Sequence, residues 1–121
     1  MEINGIAHVV LTAGDFARSR AFYGELLPFL GLAPVIDAPE FFYCVGGRTA
    51  FGIRPADRAH AGESFSQGRP GLHHVCFRLR SREEIDALHA FLVARDAAIV
   101  HPPEEAAFAP GYYSVLFEDP D

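Results

Sequence analysis

Apolar positions along this chain switch between two periods, and each period is used twice. Ile6–Leu11 and Leu72–Leu79 are runs of apolar and β-branched residues, the pattern of strands. After the first run, Phe16, Phe22, Tyr23, Leu26, Leu27 and Leu30 fall near one face of a helix. That helix should start at an N-cap, Asp15, and run to about Leu30. Gly31 suits its exit, and Pro28 should kink or break the last turn. After the second run, Ser81-Arg82-Glu83-Glu84 has capping-box spacing. Ile85, Leu88, Phe91 and Leu92 then form the apolar stripe of a second helix. Short strands are predicted at Pro34–Asp37, Phe41–Val45 and Thr49–Arg54, with Gly46-Gly47 turning the last two into a hairpin. Two more are predicted at Ala98–His101 and Tyr112–Glu118.

These elements repeat. Shifting the chain by 66 positions lays Ala7-His8-Val9-Val10-Leu11 over His73-His74-Val75-Cys76-Phe77. The same shift puts Asp15 on Ser81, Phe22 on Leu88, Leu26 on Leu92 and Leu27 on Val93, with no gap. Each copy reads as strand, helix, then short strands. The expected organisation is one α+β domain of two tandem modules, about 3–55 and about 71–121. A linker, 56–70, is rich in Ala, Gly, Ser and Arg and has no periodicity. Asp119-Pro120-Asp121 has turn chemistry but no strand returns from it, so the last strand of the second copy is missing by analogy with the first.

Composition narrows the function classes. The chain has 121 residues, 50% of them hydrophobic and 21% charged, which excludes a disordered segment. The net charge of −6 argues against nucleic acid or an anionic membrane as partner. No apolar run approaches the ~20 residues of a membrane span, and Met1-Glu2 opens no signal peptide, so a cytoplasmic location is expected. Cys44 and Cys76 form no metal or redox spacing and read as two reduced core thiols. Phosphate-loop and nucleophile-elbow motifs do not occur.

Candidate chemistry comes from the repeat itself. Strand alternation puts Ile6, His8, Val10 and Thr12 on one face, and Leu72, His74, Cys76 and Arg78 on the matching face. One imidazole at the same step of each copy suggests two nitrogen ligands for a divalent ion, which still needs a carboxylate to complete its set. His73 should point to the opposite side from His74 and pack against a helix. Arg54, one alternation beyond Gly52, and Arg78, two beyond His74, are candidates for an anionic substrate group.

The stretches Ile6-Ala7-His8-Val9-Val10-Leu11, Arg20-Ala21-Phe22-Tyr23, Leu72-His73-His74-Val75-Cys76-Phe77 and Phe117-Glu118-Asp119-Pro120-Asp121 resemble the vicinal oxygen chelate superfamily. That group includes glyoxalase I, extradiol ring-cleaving dioxygenases, and the bleomycin and fosfomycin resistance proteins. The resemblance implies paired βαβββ modules curling into a cleft, with His8 and His74 as ligands of an Fe, Mn, Ni or Zn ion. It also implies a Glu on a strand after the Asp-Pro-Asp turn, so a third ligand is expected beyond Asp121, on a natural chain longer than this one. The other Glu of glyoxalase I would fall near Gly52, which lacks a carboxylate, and this disfavours glyoxalase proper.

Two functions follow from the resemblance. One is a divalent-metal-dependent enzyme of glyoxalase or dioxygenase type, acting on a small substrate with adjacent oxygens. The other is a metal-free protein that sequesters a small molecule, as bleomycin resistance proteins do. A homodimer is expected in either case, because the family commonly pairs and an unpaired sheet edge invites it.

Overall fold

The computed structural model describes residues 1–121, which pack as two compact units. The first unit is Met1–Phe65 with Pro120–Asp121, and the second is Ser66–Asp119. The architecture is α+β, with two helices, a mixed four-stranded sheet and a two-stranded sheet.

The first unit runs β1 (His8–Ala13), α1 (Phe16–Phe29), β2 (Ala33–Ala38), β3 (Phe41–Gly46) and β4 (Thr49–Pro55). Its sheet order is β1-β4-β3-β2, with β1 parallel to β4 and the remaining pairs antiparallel. Asp15 caps α1 as its residue type dictates, accepting the Arg18 N–H at 3.0 Å. Pro28 is accommodated in the last turn, and the helix closes with Leu32 N donating to Leu27 O and Gly31 N to Pro28 O. That pair of bonds is a Schellman exit. Pro34 lies on β2, an edge strand with a register shift beside it, where a missing donor is tolerated. The hairpin turn sits one residue later than expected. Gly46 pairs with Thr49, and the central residues are Gly47 (φ 57°) and Arg48 (φ 64°). Two successive positive φ angles make it a type I′ turn, whose twist matches the flanking strands.

The core of this unit is one face of the sheet against α1. Phe42, Cys44, Phe51 and Ile53 are buried there under Tyr23, Leu26 and Leu27. Burial pushes the Cys44 thiol up from its ordinary range, against the opposing pull of Arg20. Arg20 stacks its guanidinium 3.8 Å from the Phe42 ring centroid and donates two hydrogen bonds to Asp37 on β2. Those bonds hold the Asp37 carboxyl below the usual carboxylate range, although Asp37 itself stays exposed. Ser19 is 1% exposed and its hydroxyl has no partner. Ser19→Ala is therefore expected to raise stability by about 1 kcal/mol, read as an upward shift of the thermal midpoint; a lower midpoint would refute it.

The second unit holds α2 (Arg82–Val93), β5 (Ile99–Glu105) and β6 (Tyr113–Phe117), with β5 and β6 antiparallel. Ser81 caps α2 by accepting the Glu84 N–H, and Glu84 Oε2 accepts the Arg80 N–H at 2.6 Å, so the capping box closes one residue before the cap. Leu88 and Leu92 are its buried residues. Tyr113 donates to Asp86 at 2.7 Å, and Arg82 pairs with Glu105, which pins the helix to both strands. The Asp86 bond raises the Tyr113 hydroxyl pKa.

One expected strand does not form. Leu72–Leu79 has no ladder partner and no regular structure. Its equivalent, β1, is a strand because β4 pairs with it from His8↔Ala50 to Ala13↔Pro55. In the second unit β5 and β6 pair only with each other. Alternation in sequence supplies a strand's faces; its hydrogen bonds must come from elsewhere.

Candidate functional site

Cross-strand register sorts the first unit's sheet into two faces. Phe51 and Ile53, with their partners Cys44 and Phe42, face α1. The other face carries three rows: His8 with Ala50 and Val45; Val10 with Gly52 and Tyr43; Thr12 with Arg54. His8 and Arg54 therefore share one face, on adjacent strands and two rows apart. Val10, 41% exposed, lies between them on the His8 strand. Arg54 reaches Asp57 at 3.1 Å, an exposed pair with 53% and 77% of the two side chains in solvent.

In the second unit, His74 and Arg78 lie on the segment that lacks a ladder. Even so, its exposure still alternates. His74, Cys76 and Arg78 are exposed while Val75, Phe77 and Leu79 are half-buried, matching exposed His8, Val10 and Thr12 against more buried Val9, Leu11 and Ala13. The side-chain pattern of a strand thus survives where its hydrogen bonds do not. Cys76 is corrected by this: it is an exposed thiol rather than a core one, because it falls at the outward step that Val10 occupies in the first copy. His73 is corrected too. It is exposed instead of packed away, and its Nδ1 lies 2.9 Å from Nδ1 of His74, within hydrogen-bonding distance.

The donor chemistry bears on the metal that the resemblance implies. The His8 ring makes no hydrogen bond, and His74, engaged through Nδ1, leaves Nε2 open. Each is an exposed imidazole with a free nitrogen, the form in which histidine ligates. A coordination set needs a third donor. No three His, Cys, Asp or Glu side chains are grouped so as to hold an ion. The residues present supply nitrogen donors but not a complete set.

Gly52 shows why the first module offers no carboxylate of its own. A Cβ built at Gly52 would lie 2.7 Å from Tyr43 Cδ2, 3.2 Å from Phe42 O and 3.3 Å from Phe41 Cε2. The space that a side chain would need is filled by two rings. Sequence reasoning left Tyr43 and Phe41 unplaced, since only strand parity assigns them to the face of His8. The parity was legible once Gly46 is paired with Thr49.

Comparison with known proteins agrees with this architecture. A glyoxalase candidate from Bacillus halodurans superposes with a TM-score of 0.84 at 28% identity, over 97% of this chain and 89% of that one. A glyoxylase/bleomycin resistance protein/dioxygenase domain from Frankia gives 0.74 at 26% identity, over 99% and 92%. An uncharacterized Bacillus subtilis protein, YqjT, is 26% identical over 94% of this chain and 90% of its own length. The model of the glyoxalase/bleomycin resistance protein/dioxygenase superfamily matches residues 5–121. By sequence match and by fold alike, this chain belongs to that superfamily.

Proposed function

We propose that the chain is a divalent-metal-dependent enzyme of glyoxalase or dioxygenase type, acting on a small substrate with adjacent oxygen atoms. His8 and His74 are two of its metal ligands, and Arg54 and Arg78 hold an anionic group of the substrate. The observation that carries this reading is the repeated outward step: an exposed imidazole at the same position of both copies, each with an open ring nitrogen. An isolated histidine on a strand needs no such explanation. A duplicated one does, since neither ring is used by its own unit's core.

Superfamily membership supports a small-molecule substrate and leaves the reaction to the site, because one scaffold carries several chemistries. Arg54 suits an anion: its present partner, Asp57, is exposed, and such a pair is worth about 1 kcal/mol or less, so a substrate carboxylate can displace it.

The test is calorimetric titration of the protein with Ni²⁺ or Zn²⁺ at one fixed pH. His8→Ala and His74→Ala are each expected to weaken binding by about tenfold or more. Equal affinity in the parent and both variants would overturn the ligand assignment, and the metal-free sequestering function would take its place.

A further inference from the structure

We infer that the Phe41–Tyr43 ring pair leaning over Gly52 is a platform that selects a flat aromatic carboxylate, with Arg54 as the partner of its anion. This rests on the reading above in one respect only, that the small molecule is met on the His8 face of the first unit's sheet.

The rings are stacked, with centroids 5.4 Å apart and planes 23° apart. Tyr43 stands opposite Gly52 in the ladder, and Gly52 stands opposite Val10. Both rings crowd the position of a Gly52 Cβ, so they tilt across β4 toward β1 instead of standing away from the sheet. Every other large aromatic side chain of β3 and β4 has a core to fill: Phe42 and Phe51 are 0% and 2% exposed on the face toward α1. Phe41 and Tyr43 point the other way and stay half-buried, on the side of the sheet away from α1.

The absent side chain of Gly52 on β4 leaves the space into which the rings lean. A planar guest can add to such a stack at the offset spacing that aromatic pairs prefer, whereas a puckered ring of equal size meets the quadrupole poorly. Arg54 is two residues beyond Gly52 on the same strand and the same face, a rise of about 7 Å. Its guanidinium offers a planar fork to a carboxylate carried on the edge of the stacked ring. Flatness is read by Phe41 and Tyr43, and charge by Arg54.

The experiment is an amide-shift NMR titration of the metal-free chain with benzoate and with cyclohexanecarboxylate, two anions of like charge and size that differ in planarity. Benzoate is expected to move the Tyr43, Gly52 and Arg54 amides and to bind about fivefold tighter. Tyr43→Leu and Phe41→Leu should each remove that preference, while Arg54→Gln weakens both anions alike. Equal affinities, a preference that survives both leucine variants, or no saturable benzoate shift at those amides would overturn the platform. The metal assignment fails separately, through unchanged Ni²⁺ or Zn²⁺ affinity in His8→Ala and His74→Ala, and that failure would leave the benzoate preference intact.

Discussion

Phe42→Ala is expected to lower the unfolding free energy by about 4 kcal/mol, a large share of the roughly 5–15 kcal/mol a domain commonly has. Phe42 is fully buried near the start of β3, between Asp37 on β2 and Ile53 on β4. Truncating it removes the transfer energy of a whole ring and leaves a cavity that two flanking strands cannot close by moving together, because their ladder bonds fix their spacing. It also takes away the surface on which the Arg20 guanidinium rests, leaving the Asp37 pair to hold that side chain alone. Urea unfolding followed by circular dichroism measures the effect as a drop in midpoint at unchanged slope. Phe108→Ala is the matched control: at 85% exposure its loss should fall within about 0.5 kcal/mol. A Phe42→Ala cost below about 1 kcal/mol would mean that the core of the first unit is not where the register puts it.

How much of this was legible beforehand depends on whether the physics is local. Asp15 and Ser81 announce their helices because a cap is satisfied by the next turn of the same chain. The repeat was legible for the same reason: each copy's alternation and helical stripe are properties of a dozen neighbouring residues. Leu72–Leu79 failed as a strand because a ladder is a bargain between two segments, and alternation describes one of them. Cys76 was misplaced by residue-type statistics when the repeat already put it at an outward step. At the candidate site, the alternation within each strand was legible, but the sharing of one face by His8 and Arg54 came only with the β1–β4 register, which pairs Thr12 with Arg54. The His73–His74 contact did not follow, since extended neighbours diverge and only a segment free of a ladder lets their rings meet. Nor did the tilt of Phe41 and Tyr43, which depends on the empty space that Gly52 leaves across the strand.

Gly52→Glu, which installs a carboxylate near where the resemblance to glyoxalase I implies one, is expected to destabilise the protein by about 3 kcal/mol or more and to add no metal affinity. Two costs act together. The new Cβ would press on the Tyr43 ring at 2.7 Å and on the Phe42 carbonyl at 3.2 Å. The ring can rotate aside only by breaking its stack with Phe41, and the carbonyl, held in the β3–β4 ladder, cannot yield. Beyond Cβ, the carboxylate emerges beside Val10, Phe41 and Tyr43, where the half-buried rings disfavour its charge more than Arg54, two residues along the strand and already paired with Asp57, offsets it. Gly52→Ala separates the two, since it keeps the steric cost and omits the charge, and should lose about half as much. Denaturant midpoints of both variants, with Ni²⁺ titration of Gly52→Glu, decide the matter. A Gly52→Glu protein as stable as the parent, and binding Ni²⁺ about tenfold tighter, would show that the ring pair moves and that this position is an open ligand slot. The expected result shows the reverse: in this chain the slot has been given to aromatic rings, and any carboxylate that completes a metal set on the His8 face has to come from another strand.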